Sequence, residues 1–107
     1  FNINLDGVGY KEGPTAFSFY NMPDRLEHQA RTALSAFPTL IEGSPWPQGD
    51  HSIFLQQGRP AMALSSHWLI EHMDSQDITH TPRDTPDIVD CALVSECALA
   101  LATFLVS

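Results

Sequence analysis

From Phe1 to Asp6 apolar and polar residues alternate strictly, with Phe1, Ile3 and Leu5 on one face and Asn2, Asn4 and Asp6 on the other. A period of two is that of a strand with one face buried, and Gly7 and Gly9 end it. Thr15 to Tyr20, rich in aromatics and bounded by Gly13-Pro14 and Asn21, predicts a second strand. A helix follows, with Asn21 as N-cap, Pro23 in its first turn and Asp24 at the positive end of its dipole. Its apolar stripe is Leu26, Ala30, Ala33, Leu34 and Phe37, and Pro38 closes it. Thr39 to Ile41 suits a short strand, and Glu42 to Gly49 reads as loop from its Pro and Gly content. Asp50 is placed to cap a short helix that ends at Gly58, and Pro60 to Ser65 is a short apolar run that suits a buried strand. Ser66 to Asp87 has no sustained period and reads as one long loop, a length that inside a compact domain usually carries function.

The last predicted helix runs from about Cys91 to Val106, with Asp90 as N-cap. Only Ser95, Glu96 and Thr103 are polar in it, so it demands cover nearly all round. Taken in order, these elements predict one α/β layered domain with a largely parallel sheet. Ligands in such sheets sit beyond the carboxyl ends of strands. Asp6 ends the first strand and the long loop follows the Pro60–Ser65 strand, so the two can meet at one edge.

Charge and cysteine content narrow the class. The 107 residues carry a formal charge of −8, which argues against nucleic-acid and acidic-membrane partners. Cys91 and Cys97 are six positions apart on one helix, about 240° around its axis, so they cannot bridge each other; both read as small core residues, and the compartment stays open. No signal peptide is recognisable and no apolar run reaches the ~20 residues of a membrane helix. The chain opens at Phe1, without Met, directly in strand-like sequence, and reads as a piece of something longer.

Few residues are candidates for chemistry, and each has a plain structural reading beside the functional one. Asp6 is either a turn former ahead of Gly7-Val8-Gly9 or a carboxylate ligand on a rigid strand end. His80, in His-Thr-Pro-Arg-Asp-Thr, is either a solvated loop residue or a ligand, and Asp84 is either a turn cap or part of the same site. Asp50-His51 is either an ordinary helix start or a pair that orients metal ligands. Trp46, between two prolines, and Trp68 are candidates to line a pocket. His28 reads as surface, and His67 and His72 as loop residues.

Four pieces then occur in one order: Leu5-Asp6-Gly7-Val8-Gly9, Gly49-Asp50-His51-Ser52-Ile53-Phe54-Leu55, Gly58-Arg59-Pro60-Ala61, and His80-Thr81-Pro82-Arg83-Asp84-Thr85 followed by Asp90. The series resembles the C-terminal half of the zinc aminopeptidases of clan MH, whose relatives include glutamate carboxypeptidases and glutaminyl cyclases. The resemblance implies part of a layered α/β/α domain with a mostly parallel mixed sheet, and a two-zinc site with five protein ligands and a general-base Glu. On matching positions Asp6 would be the terminal carboxylate of one zinc and His80 the terminal imidazole of the other. The family's His-x-Asp motif and Glu-Glu pair do not occur in these residues, so the resemblance places them upstream of Phe1.

A catalytic zinc takes about three protein ligands, so one ligand per ion leaves this piece inactive while the full protein hydrolyses peptides from their N-terminus by metal-activated water. The implied partners are a peptide substrate and the missing N-terminal half, with self-association through the apolar last helix as a further expectation. Two other readings keep the fold: an acyltransferase of the glutaminyl cyclase kind, and a non-catalytic interaction or dimerisation domain.

Overall fold

The structure, a computed structural model, describes residues 1–107. Its elements are β1 (Asn2–Leu5), β2 (Thr15–Tyr20), α1 (Asp24–Ser35), β3 (Leu40–Glu42), α2 (His51–Gln56), β4 (Ala61–Ser66), α3 (His67–Glu71) and α4 (Cys91–Leu105), with a 3-10 turn at Pro86–Ile88. The four strands make one mixed sheet in the order β1-β4-β2-β3. β1 runs parallel to β4, β2 parallel to β3, and β2 antiparallel to β4. Leu64 lies opposite both Leu5 and Phe17, so the last strand in sequence occupies the middle of the sheet.

The period of two sorts the side chains between the two faces. Phe17, Met62 and Leu64 point to one side, where Ala30 and Leu34 of α1 and Cys97, Ala100, Leu101 and Phe104 of α4 close over them. Ala16, Tyr20, Ala61 and Ala63 point to the other, where Trp46 packs with Leu55 and Ile70. Three alanines on that face let loop residues lie close to the strands. The result is the layered α/β/α arrangement expected, with an incomplete sheet.

Local chemistry departs from the sequence reading at several points. Asn21 does not cap α1: it sits at φ 52° in the turn after β2, and Pro23 holds the cap position without a side-chain bond. α1 ends at Ser35, short of Phe37, as expected when proline disfavours helical backbone in the residue before it. β3 and β4 each lie one residue later than predicted. Asp50 begins α2 with helical backbone and makes no capping bond. The predicted long loop is not one loop, because Ser66 Oγ accepts from Leu69 N–H and starts the short α3. Asp90 does cap α4, accepting from Ala92 N–H at 2.9 Å.

α4 is covered on one side only. Leu93, Cys97, Ala100, Leu101 and Phe104 are buried, while Leu99 and Leu105 remain 59% and 61% exposed and Cys91 is exposed rather than in the core. Both thiols are free. β1 is one of the two outer strands: Asn2 and Asp6 give their N–H groups to Pro60 and Leu64, so Ile3 and Leu5 turn theirs away from the sheet. Beyond β1, Lys11 N–H bonds Ile88 O at 2.8 Å and Asp90 N–H bonds Gly9 O at 2.7 Å. The segment after β1 is thus pinned to the segment before α4, which frames the strand end that carries Asp6.

Candidate metal centre

Asp6 stands at the carboxyl end of β1, its N–H held by Leu64 O at 3.2 Å and its carboxylate exposed. Two cavities, of 210 and 220 Å³, meet there and share Asp6, Gly7, Leu69 and Thr79 in their walls. The first runs toward the face of Trp46, with Leu64, Ile70 and Met73 supplying apolar lining and Asn4 and Gln48 polar lining. The second runs toward Tyr10, Ile78 and Val89 and also holds Asp84.

The loop that carries His80 is built on one side chain. Gln76 Oε1 accepts from Ile78 N–H at 2.8 Å and Thr79 N–H at 3.0 Å, while its Nε2 donates to Thr79 Oγ1 at 2.6 Å. Thr81 Oγ1 then donates to Ile78 O at 2.6 Å, and Arg83 pairs with Asp77 at 2.6 Å. These bonds wind the backbone so tightly that His80 takes the left-handed conformation, φ 63°, with its ring exposed. Thr79, directly before it, reaches both cavities, so the loop comes to the strand end where Asp6 sits.

The other candidates divide. Asp84 lines the second cavity with Asp6. Trp46 lines the first, but Trp68 lines neither: it packs between Tyr10, at 5.2 Å, and His72, stacked at 4.1 Å. His72 Nδ1–H donates to Trp68 O at 2.8 Å and His67 pairs with Glu71, so both histidines have local partners. Asp50 is exposed and bonds nothing in the site, whereas its neighbour His51 is completely buried behind the first cavity. Asn4, Leu69, Gln76 and Thr79 were missed from sequence. Asn4 was legible, since a period of two puts it on the same side as Asp6; the other three lie where no period exists.

A catalytic zinc needs about three protein ligands and an open position. No group of three His, Cys, Asp or Glu side chains gathers anywhere in the chain.

The order Asp6, His51, His80, together with a strand-end carboxylate beside two cavities, is decided by comparison with known families: the model of peptidase family M28 matches residues 1–105. The chain belongs to peptidase family M28. No curated protein and no solved structure matches it closely enough to add to that assignment. M28 proteins are metallopeptidases, generally zinc-dependent, so the activity of this chain belongs with peptide hydrolysis. Membership covers the whole of the described fold, from β1 to the last turn of α4.

Proposed function

We propose that this M28 chain is the part of a zinc-dependent aminopeptidase that supplies Asp6 to one ion and His80 to the other. The observation that carries the choice of aminopeptidase is electrostatic. The two cavities that meet at Asp6 contain the carboxylates of Asp6 and Asp84 and no Lys or Arg. With Asp6 engaged by its ion, the Asp84 carboxylate is left to attract a free α-ammonium, and no Lys or Arg side chain lines either cavity to pair with a peptide C-terminus. The apolar lining of the first cavity suits an uncharged first side chain.

Two ligands hold no ion tightly, so further ligands and the base that moves the proton come from chain outside these 107 residues. The free edge of β1 and the open flank of α4 border the same strand and are the surface this additional chain would cover. The 107 residues alone are then inactive, and what they contribute is the carboxylate, the imidazole and the walls of the two cavities. Zinc, when held, would supply activation of the attacking water and of the scissile carbonyl.

The test uses the full-length protein with leucyl-p-nitroanilide, an N-acetylated peptide and a peptide blocked at its C-terminus. Cleavage of the first and third but not the second is the expected result. Asp6→Asn and His80→Asn each lower turnover at least a hundredfold with unchanged melting temperature; Asn is chosen at position 80 because it tolerates the left-handed backbone. Full activity in both variants overturns the assignment. Cyclisation of an N-terminal Gln with release of ammonia, in place of hydrolysis, establishes the cyclase reading instead.

A further inference from the structure

His51 makes no contact with the cavities, yet it stands behind three residues that do. Its ring is fully buried, with Nε2–H donating to Trp46 O at 2.8 Å and Nδ1 facing Asn4 Nδ2 at 3.5 Å. The ring packs against Tyr20 at 4.8 Å and against Trp46 at 6.1 Å. Gly49 passes so close that a Cβ there would lie 2.9 Å from His51 Nδ1, and its φ of 130° is open only to glycine. Trp46, Asn4 and Gly49 all line the first cavity beside Asp6. Asn4 comes from β1 and Trp46 from the loop before α2, and His51 is the side chain that bonds to both.

We propose that His51 is a positioning residue that sets the depth of the first cavity and so selects the size of the substrate's first side chain. The bond pattern fixes its tautomer: Trp46 O can only accept, so Nε2 carries the proton and Nδ1 is left to accept from Asn4. An imidazole meets both demands at once from one buried position. Without it Trp46 keeps its two backbone bonds to Tyr20 on β2 but loses its tie to Asn4 on β1, so the cavity wall shifts relative to Asp6 while Asp6 itself stays on its strand. The effect is therefore expected on substrates that fill the cavity and not on those that leave it empty. This deepens the aminopeptidase reading and rests on it.

The experiment compares His51→Phe and His51→Gln in the full-length protein, with leucyl- and alanyl-p-nitroanilide as probes. Phe keeps the ring contacts and removes both polar bonds; the Gln side-chain amide can again donate to Trp46 O. His51→Phe is expected to raise KM for the leucyl substrate roughly fivefold, the loss of about one buried hydrogen bond, with kcat and the alanyl KM within twofold. His51→Gln restores the leucyl KM. Equal changes for both substrates, or no change, overturn the proposal. A second readout is the emission of Trp46 in a Trp68→Phe background, which shifts when His51→Phe removes the Nε2–H bond to Trp46 O and repositions the indole. If the parent hydrolyses neither substrate but the emission shifts with Phe and not with Gln, the aminopeptidase reading fails while the positioning role stands; an unmoved emission overturns the positioning role as well.

Discussion

Tyr20 and Trp46 are joined twice through one hydroxyl. Tyr20 OH accepts from Trp46 N–H at 2.7 Å and donates to Trp46 O at 2.8 Å, while Ser18 Oγ donates to it at 2.8 Å. The end of β2 thereby holds the backbone of a loop residue that lines the cavity beside Asp6. Tyr20→Phe strands a buried N–H and a buried hydroxyl together, each costing about 1–3 kcal/mol when left unpaired. The expected loss is about 3 kcal/mol in urea denaturation of the full-length protein. Adding Ser18→Ala costs little more, because it removes one of the two orphaned groups; strict additivity of the two losses would show that the network is not shared.

Gly9 is the point where the chain after β1 passes under α4. Its φ is 94°, and a Cβ there would overlap Val94 Cγ2. Gly9→Ala therefore combines backbone strain with overpacking, each costing about 1–3 kcal/mol. Val94→Ala removes the overlap and not the strain. The double variant is expected to recover only part of the loss, read from melting temperatures of the four combinations. Full recovery would place all the cost in packing.

The alternation of β1 exposed both a strand and the shared side of Asn4 and Asp6 without any structure, because one residue of slip would have inverted the whole pattern. The Asp90 cap of α4 was equally plain, since a long apolar run starts immediately after it. The sheet order was not legible: β4 lies between β1 and β2, a pairing between distant segments that no local pattern encodes. Asn21 has the chemistry of a cap and was misplaced because the same side chain also tolerates the left-handed turn it occupies. His51 read as a helix start beside Asp50, and its burial comes from the Trp46 loop folding over it, a tertiary event. The approach of the His80 loop to Asp6 was anticipated from the rule about strand ends; the Gln76 hub that shapes the loop was not.

The two thiols should behave differently toward alkylation. Cys91 is exposed at the start of α4, whereas burial pushes the Cys97 thiol above the usual thiol range. Iodoacetamide at pH 8 is expected to label Cys91 within minutes and Cys97 only after denaturation, as read by peptide mass spectrometry. Equal labelling of both in the native protein would mean that α4 does not stay seated on the sheet.

Arg31 links α1 to β3, bonding Glu27 at 2.6 Å and Glu42 at 2.7 Å. The guanidinium lowers the Glu42 carboxyl below its ordinary value of 4.5. A depressed native pKa means that the folded state favours the ionised form, so the contribution is present above about pH 4.5 and disappears as pH falls through the native value. Both side chains are partly exposed, so salt screens the effect and its size is small. The stability difference between the parent and Glu42→Gln is expected to shrink as pH falls from 6 through the native value of the Glu42 carboxyl, and to shrink at pH 6 in 0.5 M salt. A difference that responds to neither pH nor salt would assign it to packing.

The remaining prediction concerns the flank where β1 meets α4. Leu5, Val94, Ala98 and Leu101 line a groove of 310 Å³ between the two elements, next to the free edge of β1. Val94, Ala98 and Leu105 fall within about 40° of one another around the helix, and Leu5 is 53% exposed. The one charge on α4, Glu96, is turned away and accepts from Thr39 Oγ1 at 2.6 Å. The face is thus apolar and uncharged in a chain of net charge −8, whose mutual repulsion is screened beyond ~8 Å at physiological salt. Unpaired strand edges and contiguous apolar surface both favour association. The 107-residue chain on its own is expected to show concentration-dependent association by light scattering, and Val94→Lys with Leu105→Lys is expected to suppress it. If the additional chain proposed above covers this flank, the full-length protein shows no such dependence. A 107-residue chain that stays monomeric at several hundred micromolar would mean that this flank does not drive association.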